Sequence, residues 1–290
     1  MKHAFLIIAH NEPQILKVLL HMLDDKRNDI YLHIDKRSEK LYEKFSSFHM
    51  KEGKLFLIKE RMKVYWGDIS QIEVEYLLFE TAFNKGPYAY YHLLSGVDLP
   101  IKSQDCIHTF FKEHEGKEFV DFWLDEKNEK DLKKKISRYY FFTKQLKNKG
   151  ELSHILTAPI RNIALGIQKC INYKRKHSFN VFKKGSNWVS ITHSFCHYLI
   201  EQKVFVLKEF QNTLCPDEIF LQTILWNSHY REHLYNLTTR KIDWTRGNPY
   251  IWTNNDYLEI ISSTHLFARK FSSKEPTIID MIFQTFKETE

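Results

Sequence analysis

The chain has 290 residues, 43% of them hydrophobic, with only 9 glycines and 7 prolines, a balance that excludes fibrous, low-complexity and disordered classes and suits one large domain or two joined halves. The formal charge of +7 is local in origin: from Lys130 to Lys184 there are 15 Lys/Arg against 2 Asp/Glu, so the remainder is net negative. Cys106, Cys170, Cys196 and Cys215 have no metal-ligand spacing and read as reduced thiols of a cytosolic protein, and no apolar run reaches membrane-spanning length.

Phe5 to Ala9 reads as a buried first strand, too short for a signal peptide. Pro13 opens a helix through Leu20 with its stop near Asp24-Asp25. Ile30 to Ile34 is a second strand, Ser38 caps a helix through Phe45, and Lys54 to Ile58 is a third strand. Asp68 to Phe83 is a long amphipathic helix, and Tyr90 to Leu94 a fourth strand. Continuously apolar strands separated by helices predict an α/β fold with a mainly parallel sheet covered on both faces, whose ligands lie beyond the carboxyl ends of its strands. Polar clusters fall at those ends: His10-Asn11-Glu12, Asp35-Lys36-Arg37 and Ser95-Gly96-Val97-Asp98, with Tyr65-Trp66-Gly67-Asp68 before the long helix. Each alone is ordinary turn chemistry, but together they outline one edge of one sheet. No Gly-x-Gly-x-x-Gly or P-loop is present, which argues against the usual dehydrogenases and ATPases.

The basic, aromatic stretch 130–184 holds a helix between Ser153 and Cys170, interrupted near Pro159. Gly185 to Ile191 returns as a short strand, helices start at His193, Val204 and Pro216, and a strand-like segment lies near 235–237. Cys215-Pro216-Asp217-Glu218 sets two carboxylates in the first turn of an apolar helix, where they either complement its dipole or supply a general base. The acidic pairs Asp24-Asp25, Asp125-Glu126 and Asn255-Asp256 follow no strong buried strand in the usual position, and no His/Cys cluster supports them, so no metal ligand is assigned. The chain divides into a strand–helix half (1–125), a basic aromatic helical insert (126–184) and a second half (185–290), continuous as one domain.

Taken in order, Leu6–His10, Leu32–Asp35, Val64–Gly67, Leu94–Ile101, Gly185–Trp188, Cys215–Glu218 and Leu266–Phe271 resemble the core-2/I-branching β-1,6-N-acetylglucosaminyltransferase family (glycosyltransferase family 14, which includes peptide O-xylosyltransferases) over nearly the whole chain. The resemblance implies a GT-A type fold, a Rossmann-like sheet flanked by helices with a basic helical insert. It also implies inverting transfer of a sugar, first of all N-acetylglucosamine, from a UDP-sugar to a glycan hydroxyl, with no divalent metal and no other cofactor. Glu218 matches the catalytic base, with Asp217 as its support at the substrate. Arg246 and Lys270 match the cations on the diphosphate. Asp35 matches a nucleoside contact, Tyr65 stands to flank the uracil, His10 shares that edge, and Asp98 meets the donor sugar or ribose. Trp188 offers a flat face to a sugar ring, although core packing is an equal reading for Trp188 and Tyr65.

The sequence shows neither the N-terminal anchor nor the cysteine-rich stem of animal members. A bacterial-type cytoplasmic enzyme of surface polysaccharide or glycolipid synthesis is therefore expected, with an oligosaccharide or lipid-linked acceptor. Its basic insert would rest on the anionic inner face of the membrane. The alternatives are xylosyltransferase-like or other UDP-sugar transfer, a lectin-like scaffold, and a nucleic-acid-binding protein. The last has a basic pI and interleaved aromatics in its favour but no recognised binding module, so no nucleic acid partner is expected.

Overall fold

The computed structural model describes residues 1–147, 152–235 and 238–286. In chain order its first half contains β1 (His3–Ala9), α1 (Pro13–Met22), β2 (Asn28–Ile34), α2 (Glu39–Ser46), β3 (Lys54–Leu57), α3 (Ser70–Phe83), β4 (Tyr90–Ser95), β5 (Leu99–Pro100) and α4 (Gln104–Glu113). There follow α5 (Glu126–Ile136), α6 (Leu152–Cys170), β6 (Ser190–Thr192), α7 (His193–Glu201), α8 (Lys203–Phe210) and α9 (Phe220–Trp226). The last elements are β7 (Arg240–Ile242), α10 (Tyr257–Ile261), β8 (Phe267–Arg269) and α11 (Pro276–Phe286).

The main sheet has the order β3-β2-β1-β4-β6, parallel except for β6. The apolar strands predicted it because both faces are covered. Phe5 and Ile7 of β1 pack into one core with Leu16, Leu32 and Ile278, while Ala4 and Leu6 pack into the other with Tyr76, Phe79 and Phe195. A smaller sheet, β5-β8-β7, carries the C-terminal cationic segment. Since β1 lies between β2 and β4, the chain leaves it to one side and returns on the other, which opens a crevice at the carboxyl ends of β1 and β4.

Four local expectations need amendment. Pro216 does not begin a continuous helix: Pro216–Glu218 is a single 3-10 turn, Ile219 (φ −127°) interrupts it, and α9 starts at Phe220. The Glu218 carbonyl is engaged by the Gly185 N–H at 2.9 Å instead of continuing a helical ladder, so Asp217 and Glu218 sit ahead of the helix rather than on its dipole. Ser38 occupies the cap position of α2, yet its hydroxyl donates to the His10 carbonyl at 2.6 Å. The strand expected over 185–191 shortens to β6, and α6 continues through Pro159. Of the strand-like segment near 235–237, residues 236 and 237 lie outside the described residues. All four cysteines are free thiols, two of them buried.

One core network sets the response to acid. His92 shares hydrogen bonds with His3 (3.0 Å) and the Ser190 hydroxyl (2.7 Å), which also accepts from the buried Arg240 (2.7 Å). Burial lowers His3 to about 2, His33 and His108 to about 4, and His92 well below the ordinary imidazole range. Unfolded imidazoles titrate near 6.5, so below that pH the unfolded state takes up more protons and stability falls. Buried Glu118 and Asp217, each raised to about 7, act oppositely, destabilising the fold as pH rises from about 4 to 7. The two effects oppose each other above about pH 4; below it the histidine effect continues, and carboxylates held low in the fold, Asp35 and Asp256 among them, add to the loss as they protonate. Scanning calorimetry should therefore show a steep fall in Tm between about pH 4.5 and 3; a flat Tm there would contradict the buried neutral histidines.

Candidate active site

At the crevice, β1 and β2 end level, and the Asp35 N–H donates to the Ala9 carbonyl (2.9 Å). Asp35 is buried and accepts from Arg37 Nε (2.9 Å) and Nη2 (2.7 Å) and from the backbone N–H groups of Arg37 (2.8 Å) and Val64 (2.9 Å). Burial alone would raise its carboxyl, but these donors hold it below the usual range. The Arg37 guanidinium stands 4.6 Å from the Tyr65 ring centroid, so Asp35, Arg37 and Tyr65 form one unit. His10 is exposed beside them. Desolvation lowers its imidazole, with Lys270, Arg37 and Arg269 acting the same way and Asp35 opposing. His10, Asp35, Arg37, Arg269 and Lys270 thus share one electrostatic neighbourhood.

Arg269 and Lys270 reach the crevice at the end of β8. Arg269 donates to Asp98 Oδ1 (2.9 Å) and lies 4.3 Å from the Trp188 ring centroid; Asp98 Oδ2 accepts from the Ser95 N–H (2.8 Å). Burial raises the Asp98 carboxyl and Arg269 pulls it back. The chain around Lys270 is fixed on both sides: Phe271 N–H donates to the Val97 carbonyl (3.0 Å) and Trp252 N–H to the Lys270 carbonyl (3.1 Å). Gly96 allows the loops to meet, because a Cβ there would stand 2.8 Å from the Cβ of Ala9. Among the described residues the Lys270 ammonium has no ion-pair partner.

Arg246 is placed differently from Lys270. Its guanidinium is held by Asp243, by Asp256 (2.6 Å) and by Glu259 (3.1 Å), over the rings of Tyr250 and Trp252. Those rings belong to the stretch that pairs with Lys270, so Arg246 braces that stretch from behind.

The carboxylate side of the site is the 3-10 turn. Glu218, with 27% of its side chain exposed, accepts from Lys135 of α5 at 3.1 Å, with Lys184 at 3.5 Å, both on Oε2. Asp131 ties the two lysines together (3.0 and 2.6 Å). Among the described residues Oε1 has no hydrogen-bond partner. Asp217 points inward. Burial, then the neighbouring Glu218 charge, raises it to about 7, and among the described residues its Oδ1 has no hydrogen-bond partner. Behind it Glu75 of α3 is buried, and burial, then Asp217, raises its carboxyl well above the ordinary value, with the Asn187 side chain pulling it back. The three acids thus grade from a buried interior to an ion-paired surface, which leaves Glu218 as the solvent-reachable carboxylate.

The segment Gly185–Trp188 joins the two sides. Its first N–H bonds the Glu218 carbonyl, and its last side chain lies under Arg269. The Tyr65–Gly67 loop meets the same turn, since the Cys215 N–H donates to the Gly67 carbonyl (3.0 Å) and Gly67 adopts φ +72°. The structure therefore gathers His10, Asp35 and Tyr65 with Lys270, links Asp98 and Trp188 through Arg269, and sets Asp217 and Glu218 against Lys135 and Lys184. Sequence reasoning missed Arg37, Arg269, Lys135, Lys184 and Glu75. Arg37 and Arg269 sit inside motif stretches already singled out; the two lysines were hidden in a basic run that reads as solvated charge.

A mainly parallel α/β sheet with charged groups converging at its switch point places the candidate site beyond the strand ends, where sheets of this class bind their ligands. The particular family follows from comparison. The Core-2/I-Branching enzyme family matches residues 3–266, and the chain belongs to that family of glycosyltransferases. It is similar to "Xylosyltransferase oxt" of Drosophila pseudoobscura pseudoobscura (24% identity over 296 residues, 93% of this chain and 31% of that protein). It is also similar to "Xylosyltransferase 2" of Rattus norvegicus (24%, 93% and 32%) and of Homo sapiens (23%, 93% and 32%). The chain spans about a third of the length of these relatives. Among solved structures, mouse xyloside xylosyltransferase 1 in its apo form aligns over 95% of this chain and 99% of its own, with TM-score 0.41 and 10% identity. Among the described residues no helix is long and apolar enough to cross a membrane.

Proposed function

We propose that the chain is an inverting, GT-A type glycosyltransferase that moves a sugar from a UDP-sugar to a glycan hydroxyl, with side-chain cations rather than a metal on the diphosphate. The observation that carries this reading is the Lys270 ammonium, without an ion-pair partner among the described residues, next to Arg269 at the switch-point crevice and near His10, Asp35 and Tyr65. A departing nucleoside diphosphate gains negative charge as its bond to the sugar breaks, and fixed cations aimed at it stabilise that charge. Asp35 and Tyr65 then take the nucleoside, Asp98 acts on the donor through Arg269, and Trp188 gives the sugar a ring face. The sequence reading paired Arg246 with Lys270 on the diphosphate. With three carboxylates on it, its part here is to brace the Lys270 segment, and Arg269 takes the phosphate role.

In the proposed step, the acceptor oxygen attacks the anomeric carbon opposite the diphosphate. The anomeric C–O bond breaks with its electron pair leaving on UDP, and an α-linked donor gives a β-linked product. Glu218 Oε1 takes the acceptor proton while Lys135 and Lys184 hold Oε2. Asp217 supports the turn at the acceptor side. N-acetylglucosamine is the first donor proposed, and xylose is the second, favoured by relatives called xylosyltransferases across 93% of the chain. The acceptor proposed is an oligosaccharide or lipid-linked glycan of surface polysaccharide or glycolipid synthesis at the cytoplasmic face. Hydrolysis assays with UDP-N-acetylglucosamine and UDP-xylose separate the donors, and turnover of neither, with or without glycan acceptors, would remove the reading.

Lys270→Ala is expected to weaken UDP binding by roughly 10- to 100-fold, the range for losing a charge-assisted contact. It should also flatten the salt dependence of that binding. Wild-type affinity in this variant, measured by titration at two ionic strengths, would clear Lys270 of the diphosphate role.

A further inference from the structure

The helix α6 is amphipathic in the reverse sense for a surface helix. Among the described side chains its inward face carries Thr157, Ala158, Arg161, Ala164, Leu165 and Gln168, and Gln168 is tied to the body through both the N–H and the carbonyl of Tyr139 (2.8 and 3.0 Å). Its outward face carries Leu152, Ile155, Leu156, Ile160, Ile163 and Ile167, each between 53% and 71% exposed. Their spacing of three and four residues puts them on one stripe, and Pro159 and Gly166 fill its gaps without adding a polar group. Ile171 (64% exposed) extends the stripe past the helix end. A contiguous apolar face of this length marks an interaction surface.

The charge beside it selects the partner. Where the stripe ends, a cleft of about 330 Å³ opens between α5 and α6, lined by Lys133, Lys134, Arg138, Lys169 and Lys174 with Tyr173, and among the described residues no Asp or Glu lines it. The stretch 130–184 carries 15 Lys/Arg against 2 Asp/Glu. A second copy of the chain seated on the stripe would bring two such basic regions together, which like-charge repulsion opposes. An anionic lipid surface takes both features at once: acyl chains receive the isoleucine stripe, and headgroup phosphates meet the lysines and Arg138. We infer that α6 and its basic cleft dock the protein on an anionic phospholipid bilayer, with the helix lying in the interface plane. This goes beyond the reaction proposed above and stands on separate residues, since none of the stripe or cleft side chains belongs to the Glu218 or Lys270 groups.

The test is co-sedimentation of the full chain with phosphatidylcholine vesicles and with mixed phosphatidylcholine–phosphatidylglycerol vesicles. The wild type should bind the mixed vesicles, and Ile163→Glu/Ile167→Glu should weaken that binding about tenfold or more. Lys169→Glu/Lys174→Glu, which leaves the stripe intact, should weaken it similarly and shift it to lower salt. Both pairs are exposed, so circular dichroism and Tm should match the wild type. No wild-type binding to mixed vesicles, or equal binding to both vesicle types, would overturn the inference. So would a dimer in light scattering that the isoleucine pair dissociates while vesicle binding is absent, because a second copy would then cover the stripe.

Discussion

Replacing Glu218 with glutamine is expected to lower transfer by about 10²–10⁴-fold while UDP affinity stays close to that of the wild type. Glutamine keeps the size of the side chain and can still accept from Lys135 and Lys184, so the 3-10 turn and its bond from Gly185 should persist. What it loses is the basic oxygen Oε1, which no described side chain engages. The split between lost turnover and kept binding distinguishes a base from a residue that merely shapes the pocket. Asp217→Asn serves as the control. Asp217 is buried and its carboxyl is raised to about 7, so a neutral amide resembles its protonated form and should cost far less turnover. Near wild-type turnover in Glu218→Gln would pass the base role to another group.

The second large effect comes from a residue with no side chain. A Cβ on Gly185 would stand 1.8 Å from the Asp121 carbonyl oxygen and 2.7 Å from its carbon, both backbone atoms that cannot swing aside. Overpacking of ordinary side chains costs about 1–3 kcal/mol, and a backbone clash of this closeness lies at or beyond the top of that range. For a chain of this size that corresponds to a loss of several degrees in Tm. The clash also pushes the segment that holds the Glu218 carbonyl at one end and stacks Trp188 on Arg269 at the other. Gly185→Ala should therefore lose more activity than its Tm alone explains. A variant with wild-type Tm and turnover would show that this contact is not as close as described.

The strands were legible because a sheet covered on both faces needs uninterrupted apolar runs, as at Phe5 to Ala9 and Ile30 to Ile34. The polar residues that end such runs, His10, Asp35 and Asp98, were legible for the same reason: a parallel sheet aims its strand ends at one edge. What could not be read depends on partners distant in sequence. The 3-10 turn at Glu218 exists because an N–H from Gly185 takes the carbonyl that a helix would use. Arg246 looked like a free cation because Asp243, Asp256 and Glu259 converge on it only after folding. Lys135 and Lys184 looked like solvated members of a basic run, yet they are the buried partners of Glu218. The apolar spacing of α6 is plain in the sequence, but a spacing says which residues share a face and not whether that face turns inward.

Calorimetric titration of the protein with UDP, in the presence and absence of EDTA, shows whether side-chain cations alone hold the diphosphate. Saturable binding is expected, unchanged by EDTA and weakened by Lys270→Ala. Absence of UDP binding would contradict the nucleotide-sugar reading, and binding abolished by EDTA would contradict the assignment of the diphosphate to Arg269 and Lys270.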